Sequence, residues 1–337
     1  MIPLSVLDLS PIVEGSDASH SFRHSLDLAQ HAERWGYNRF WMAEHHSMPG
    51  VASAATAVIL AHIAAGTTSI RIGAGGVMLP NHSPLVIAEQ FGTLEALHPG
   101  RIDLGLGRAP GTDQAAAYAL RRNLNSDANQ FPRDVVELMN YFRLPEPSQR
   151  VRAIPGEGLN IPIWILGSSL FGAQLAAALG LPYAFASHFA PGLMDEAISV
   201  YRRDFKPSAQ LDRPHVMLGY NIFAADTDEE AHFLASSMQQ AFVNLRTGQP
   251  TPLPKPVPNY LESLPANGRA MLDQVLSCSA IGAPETVCGA IDSFIARTGA
   301  DELMVTSQIH DHAARLRSFE IVAEVTGLNA PQWDPPA

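Results

Sequence analysis

Cysteine is scarce in this chain, with only Cys278 and Cys288 among 337 residues. Two cysteines cannot build a disulfide framework, and neither has a second pair of metal-binding residues nearby. Long hydrophobic runs are also missing, because no window reaches the roughly 18 apolar residues of a membrane span, and residues 1–20 lack a basic segment followed by an apolar one. We therefore expect a cytoplasmic protein with reduced thiols that is neither exported nor inserted into a membrane.

Positive charge is in short supply as well. The 22 lysine and arginine residues stand against 33 aspartate and glutamate residues, which gives a formal net charge of −11, and no basic run or stripe is present. A nucleic acid backbone requires such a basic surface, so we expect no nucleic acid partner. Only 16% of the residues are charged and 46% are hydrophobic, which is enough apolar material for the large core of a globular protein.

Short apolar runs alternate with longer helical patterns along the chain. Eight runs are typical of buried strands, at residues 4–9, 39–43, 70–77, 102–106, 163–166, 183–186, 216–224 and 302–307. Helical patterns lie between or after them, at residues 20–35, 53–65, 84–98, 134–142, 170–179, 192–205, 228–245, 267–277, 284–297 and 313–325. Because eight such repeats favour a closed barrel over an open sheet, we predict an α/β fold, a (β/α)8 TIM barrel.

Three stretches interrupt this alternation, at residues 108–130, 145–162 and 246–266. Each is rich in proline, glycine, asparagine and glutamine and is longer than an ordinary connection between a strand and a helix. In a barrel, long insertions after strands build the rim of the active site. Six prolines stiffen residues 246–266, which favours an insertion or lid over a linker. We expect residues 1–337 to form a single domain.

Two adjacent histidines follow the second predicted strand, in the run Glu44-His45-His46. Barrel enzymes carry their chemistry at the C-terminal ends of the strands, and a neutral imidazole can exchange a proton near physiological pH. The alternative is that both rings are structural and bond loop carbonyls. Neighbouring strand residues point to opposite faces and rarely chelate one ion, so we expect no metal site.

A glycine-rich strand end carries a second candidate residue. Gly105 and Gly107 look like the start of a dinucleotide-binding fingerprint, but the third glycine falls at Gly111, one position late, and Pro110 sits where a helix should run. That interpretation therefore fails. What remains is a strand whose glycines admit the close approach of a ligand, followed by Arg108 as a candidate contact to a phosphate or a flavin.

A third candidate follows the fifth predicted strand. There Gly167 precedes Ser168 and Ser169, which open a helix. The free N–H groups and the dipole of a helix N-terminus bind phosphate, and serine hydroxyls add further donors. The alternative is an ordinary N-cap serine with no ligand.

Three segments together resemble a known family. They read WMAEHHSMPG at residues 41–50, IGAGGVMLPNHSPLVIAEQFGTLEALHPGRIDLGLGRAPGTD at residues 72–113 and IWILGSS at residues 163–169. In this order and spacing they are similar to the luciferase-like flavin-dependent monooxygenases, particularly the single-chain bacterial members. The resemblance extends over nearly the whole chain.

The resemblance implies a cofactor and a reaction. Such proteins are (β/α)8 barrels that take reduced FMN from a separate NAD(P)H-dependent flavin reductase and use it with O2 to oxygenate a small organic substrate. Because the reductase delivers the flavin, we expect FMN to bind loosely and to be lost on purification. Gly107 stands where the luciferase large subunit has a thiol, so we predict no light emission.

The resemblance also assigns residues. The family histidine that matches His45 lies beside the flavin ring and is the acid–base residue. A non-prolyl cis peptide bond of the family matches the Ala74-Gly75 step, and the FMN phosphate maps to the arginine and the serines described above. The predicted cofactor-binding residues are therefore Ala74, Gly75, Arg108, Gly167, Ser168 and Ser169.

Two other functions remain open on the same barrel. One is a deazaflavin-dependent oxidoreductase that passes hydride to or from its substrate without oxygen. The other is a non-catalytic protein that binds flavin and leaves the reaction of reduced flavin with oxygen unchanged. Reconstitution with each cofactor, followed by measurement of turnover, would separate the deazaflavin-dependent enzyme from the FMN-dependent monooxygenase.

The helical pattern at residues 53–65 predicts an assembly. Its sequence, SAATAVILAHIAA, is apolar almost all the way round. An outer helix of a barrel normally shows a polar face to solvent, so another surface should cover this one. We predict a homodimer with this helix at the interface, beside the helix at residues 84–98.

Overall fold

The computed structural model describes residues 2–108, 118–120 and 130–328. Its parallel strands are β1 (Leu4–Asp8), β2 (Arg39–Met42), β3 (Arg71–Met78), β4 (Ile102–Gly107), β5 (Ile163–Gly167), β6 (Tyr183–Phe185), β7 (Val216–Ala224), β8 (Ser279–Gly282) and β9 (Glu302–Thr306). β1 to β6 pair in chain order, β6 pairs with β7, β7 with β9 and β9 with β1, so eight strands close into a ring. The predicted (β/α)8 barrel is thereby confirmed.

Helices surround this ring. The α-helices with described bounds are α1 (Ala18–Trp35), α2 (Thr56–Ala65), α3 (Pro84–Leu97), α4 (Phe131–Tyr141), α5 (Leu170–Leu179), α6 (Met194–Asp204), α7 (Asp228–Arg246), α8 (Tyr260–Ser263), α9 (Ala266–Val275), α10 (Pro284–Thr298) and α11 (His312–Thr326). Most of them pack apolar side chains onto the outer face of the strands in the main core, as crossover helices of a parallel sheet must. Over the described ranges, none combines the length and the apolarity that crossing a membrane requires.

Local chemistry explains where individual helices begin and end. Asp17 caps α1 by accepting a backbone N–H of the first turn at 2.9 Å, and Gly36 ends the helix with φ 86°. α2 begins at Thr56 rather than at the predicted residue 53. The reason is that the Ser53 hydroxyl donates a hydrogen bond to the Ala43 carbonyl and ties this segment to the end of β2.

One strand escaped the sequence analysis. β8 pairs with the end of β7, from Asn221 opposite Ser279 to Ala224 opposite Gly282, and is additional to the eight-strand ring. It is four residues long and is fully buried only at alternate positions. A run this short carries too little periodicity to be recognised as a strand.

Apolar side chains fill part of the inside of the barrel. Alternate residues of each strand point inward, and the inward apolar cluster consists of Leu7, Trp41, Ala43, Trp164, Ala184, Met217 and Met304. The rings of Trp41 and Trp164 meet edge to face with their centroids 5.2 Å apart. Gly73 and Gly75 make room for Trp41, because an ideal Cβ on either would lie 2.6 or 2.8 Å from the indole.

A buried charge cluster closes the barrel toward the N-terminal ends of the strands. Arg39 donates from Nε to Glu302 at 2.8 Å and from Nη1 to Asp103 at 2.7 Å, and its guanidinium lies 4.9 Å from a ring centroid of Trp164. Burial raises the pKa of Glu302, but Arg39 and the hydrogen bond from Ser5 help to lower it to about 2. This end of a barrel serves stability rather than chemistry.

The three long stretches have different surroundings. Residues 145–162 join α4 to β5 and therefore enter the barrel at the N-terminal ends of the strands, away from the rim expected for insertions that follow strands. Residues 246–266 run beside the loop after β1, where Leu253 and Val13 form a β-bridge, and their role as a lid stays a prediction. Most of residues 108–130 lies outside the described residues.

Candidate active site

His45 continues the inner wall of the barrel beyond the end of β2. Arg39, Trp41 and Ala43 all face inward, and His45 is the next residue in this alternating series. Glu44 and His46 belong to the other series and contact each other. The two adjacent histidines therefore have different surroundings.

Glu44 anchors the loops that follow β2 and β3. Its Oε1 accepts hydrogen bonds from Nε2 of His46 at 2.7 Å and from Nε2 of His82 at 2.8 Å, and its Oε2 accepts the Met78 N–H at 3.0 Å. Burial raises the pKa of Glu44, but these hydrogen bonds outweigh burial and leave it below its ordinary value. The ionised carboxylate thus fixes the orientation of both rings.

The same three side chains form a potential metal-binding group. Ligand atoms of Glu44, His46 and His82 lie within 4.8 Å of one another. Sequence analysis did not anticipate this grouping, because His82 is 38 residues from Glu44 in the chain. Two imidazoles and a carboxylate are a ligand set that first-row transition metals accept, so the expectation of no metal site stays a prediction.

The His45 ring is partly buried. No described residue forms a hydrogen bond with its Nδ1, which is sealed from solvent. Burial lowers its pKa, and the Ala43 carbonyl and the Glu44 carboxylate reverse this only in part. The imidazole is therefore neutral near pH 7, the state in which it can accept a proton.

The turn after β5 forms a cradle for a phosphate. Ser169 caps α5, yet its hydroxyl makes no capping hydrogen bond, so the hydroxyl and the first N–H groups of the helix can all donate to an anion. The Arg108 guanidinium lies 4.2 Å from the ring centroid of Phe171, in the first turn of α5. The structure thus brings Arg108 beside the Ser168-Ser169 turn, a donor set that fits the phosphate of FMN.

Other predicted cofactor residues lie differently. The Ala74 side chain packs in the outer core and does not face the mouth. A Cβ at Gly167 would point toward Gly172 in α5. The non-prolyl cis peptide bond joins Gly75 to Gly76, so the prediction at Ala74-Gly75 was wrong by one residue. An ideal Cβ on Gly76 would lie 2.7 Å from the Gly105 carbonyl. Close packing of β3 on β4 therefore requires glycine at position 76. The sequence does not reveal which bond in the run Ala74-Gly75-Gly76 is cis, because all three residues are small.

A second imidazole lies at the mouth, and sequence analysis missed it. His188 lies in the turn after β6, and its ring packs against Gly219 on the neighbouring strand β7. Its Nδ1 is buried and has no partner in the described part of the chain, and burial together with nearby His45 lowers its pKa to about 4. The available signal was its position just after a strand, which is the same signal that singled out His45.

Comparison with known proteins identifies the family. A sequence profile described as luciferase-like monooxygenase matches residues 2–302. This chain belongs to the luciferase-like monooxygenase family. A luciferase-like monooxygenase of Escherichia coli K12 is 55% identical over 324 residues, which cover 96% of this chain and 97% of that protein. The crystal structure of apo-MsnO8 is 35% identical, covers 98% and 99% of the two chains, and superposes with a TM-score of 0.87.

Other luciferase-like relatives have more specific names. N-acetyl-S-alkylcysteine monooxygenase of Bacillus subtilis 168 is 38% identical over 256 residues, 74% of this chain and 75% of that one. Two distant structures share the fold alone. One is the oxygenating constituent of 3,6-diketocamphane monooxygenase from Pseudomonas putida, solved in complex with FMN; it is 18% identical, superposes with a TM-score of 0.70 and is matched over 96% of this chain and 97% of that one. The other is an F420-dependent secondary alcohol dehydrogenase, which is 13% identical, superposes with a TM-score of 0.69 and is matched over 96% of this chain and 98% of that one.

Proposed function

We propose that this luciferase-like monooxygenase is the oxygenase component of a two-component system. It would take reduced FMN from a separate NAD(P)H-dependent flavin reductase and use it with O2 to oxygenate a small organic substrate. The observation that carries the proposal is the convergence of Arg108 with the first turn of α5, whose N-cap Ser169 has a hydroxyl free of any capping hydrogen bond, at the same end of the barrel as His45. Bound reduced FMN would supply the electrons that activate O2.

Each residue has a role in this proposal. Arg108 would neutralise the phosphate charge, while the hydroxyls of Ser168 and Ser169 and the N–H groups of α5 would orient it. His45 is neutral because burial lowers its pKa, so it would accept a proton from the reacting groups and return it. The apolar layer that includes Trp41 closes the site from below, which limits the access of water to the chemistry.

Cofactor binding can be tested before any substrate is known. We expect reduced FMN to bind more tightly than reduced riboflavin, because riboflavin lacks the phosphate. Arg108→Ala should weaken the binding of reduced FMN by roughly 10- to 100-fold, which is the effect of losing a charge-assisted hydrogen bond. The binding of reduced riboflavin should be unaffected. Arg133→Ala, which removes an exposed arginine on α4, is the matched control. Equal losses for both flavins would contradict the assignment of the cradle.

A loosely held flavin follows from the shuttle. We expect the purified protein to be colourless after dialysis, because a site that exchanges flavin with a reductase does not need a permanent occupant. Absorbance of the dialysed protein measures this directly. Retention of one flavin per chain would contradict the proposed exchange with a reductase.

Turnover distinguishes the three candidate functions. The protein is supplied with a generic flavin reductase, NADH and ¹⁸O2, and is offered aldehydes, alkanesulfonates, aromatic metabolites and N-acetyl-S-alkylcysteines. Incorporation of one ¹⁸O atom into a product supports the monooxygenase. Oxygen-independent turnover with reduced F420 would instead show that the protein is a deazaflavin-dependent oxidoreductase. Binding of FMN with no effect on the reaction of reduced flavin with oxygen would indicate a non-catalytic flavin-binding protein.

A further inference from the structure

His188 stands across the barrel from His45. The two histidines follow β6 and β2, which are four positions apart in the closed ring of eight strands, so they lie on opposite walls of the mouth. They are close enough for a charge on His45 to lower the pKa of His188. The residues assigned to the flavin lie in or directly after β2, β3, β4 and β5. The wall with His188 is therefore left to the substrate.

Two neighbours on β7 hold His188 in place. Gly219 lies on the inner surface, two residues after the inward Met217, and any Cβ at Gly219 would overlap Nδ1 of the His188 ring. Asn221 donates from Nδ2 to the His188 carbonyl at 2.8 Å and lies within 3.3 Å of the Ser279 hydroxyl. The absence of a side chain at Gly219 thus leaves room for the His188 ring against the inner wall, and the Asn221 amide holds the His188 backbone.

The burial of the ring indicates which nitrogen can meet a ligand. Nδ1 of His188 is sealed and has no described partner, whereas the residue as a whole is only partly buried, so the open edge carries Nε2. A buried N–H without a partner is rarer in proteins than a buried acceptor without one. The favoured neutral tautomer therefore has its lone pair on Nδ1 and its proton on Nε2.

We propose that His188 is a substrate-binding residue whose Nε2–H donates a hydrogen bond to an uncharged oxygen of the substrate, such as a ketone or amide carbonyl. The inference rests on the proposed function insofar as the ligand of this wall is the molecule to be oxygenated. It adds a residue and a chemical class that the phosphate cradle and His45 do not supply.

The surroundings favour an uncharged ligand at this wall. Asn221 on β7, which bonds the His188 carbonyl, and its neighbour Thr306 on β9 are buried and carry no charge. With its pKa lowered to about 4, His188 is itself neutral near pH 7 and offers an anion no ion pair. A carboxylate placed here would lose its hydration without gaining a cation.

Matched fragments test the site without knowledge of the substrate. Hexanamide and hexanoate have the same shape and differ in charge. Saturation-transfer NMR on the full-length protein at pH 7, with and without oxidised FMN, should show hexanamide binding several-fold more tightly than hexanoate. His188→Phe keeps a ring in the slot and should weaken hexanamide by about 3- to 10-fold, the effect of one neutral hydrogen bond. Similar binding of the two fragments, or a His188→Phe protein that still prefers hexanamide, would overturn the proposal.

Two further variants identify the nitrogen. The amide of glutamine reaches the position of Nε2, whereas the amide of asparagine reaches that of Nδ1. His188→Gln should therefore restore much of the hexanamide affinity, and His188→Asn should not. Rescue by asparagine alone would show that the tautomer was assigned wrongly and would overturn the proposed contact.

The outcome is separable from that of the flavin chemistry. Fragment binding does not require reduced flavin, so a fragment preference that depends on His188 in a protein without monooxygenase turnover would refute the proposed function and leave the site standing. Turnover that is unchanged in KM and kcat in His188→Phe would overturn the substrate contact and leave the proposed function standing. If His188→Phe raises KM for the substrate and leaves the affinity for the reduced form of FMN unchanged, the result supports both the substrate contact and the proposed function.

Discussion

Replacing His45 and His46 one at a time should separate chemistry from packing at the mouth. The two rings are adjacent in the chain, but His45 continues the inner wall and His46 donates to the buried Glu44 carboxylate. We predict that His45→Ala loses turnover and keeps its stability. His46→Ala should keep most of its turnover and lose stability.

The structure sets the size of both effects. A positioned general base contributes about 10²- to 10⁴-fold to a rate, and Nδ1 of His45 has no hydrogen-bond partner among the described residues to lose. His46 makes a 2.7 Å hydrogen bond to Glu44, which keeps two other donors when His46 is removed. A hydrogen bond to a charged group contributes about 1.5–3 kcal/mol. For a chain of 337 residues, at about 2.1 cal/mol/K of unfolding entropy per residue, this lowers Tm by roughly 2–4 °C.

Two measurements on each variant check this assignment. The first is kcat with saturating reduced FMN and the best substrate found in the ¹⁸O2 screen, and the second is thermal unfolding followed by circular dichroism. His82→Ala removes the other histidine donor to Glu44 and should resemble His46→Ala. An inactive but fully stable His46→Ala beside an active His45→Ala would refute the assignment of the two faces.

Three further predictions follow from the core and the surface. The pKa of Glu302 is about 2 in the folded protein against an ordinary 4.5. The stabilisation that ionised Glu302 gives to the folded protein is therefore fully present above pH 4.5 and disappears as the pH falls toward 2. Glu302→Gln should therefore lower the unfolding free energy at pH 7 by roughly 3 kcal/mol and flatten its dependence on acid, and an unchanged urea midpoint at pH 7 would contradict this. Gly105→Ala should abolish folding of the soluble protein, because its Cβ would overlap the Ala74 carbonyl; Gly289→Ala, with open space around the new Cβ, is the control for expression. Val58 on α2 and Val86 on α3 are 71% and 44% exposed, so Val58→Asp should convert the predicted homodimer to a monomer in sedimentation velocity at micromolar concentration, and a monomeric parent protein would contradict the predicted interface.

The alternation of apolar runs with helical patterns was enough to predict the barrel. Burial on both faces makes each parallel strand an unbroken apolar run, and the crossover helices supply the intervening periodicity, so these signals are local in the chain. The residues that directly follow a strand are local as well. For that reason His45, Arg108 and the Ser168-Ser169 turn could be proposed as site residues before the fold was known.

Tertiary structure decided the contacts between distant segments. Glu44 and His82 come from the ends of two strands, and His188 is held by Gly219 and Asn221 on the next strand. No local pattern encodes these pairs, because they depend on how neighbouring strands are staggered and on which side chains meet inside the ring. The same applies to the cis bond after Gly75, which lies where the register between β3 and β4 shifts. Local periodicity therefore determines which elements form, whereas the packing of those elements decides which side chains meet at the mouth.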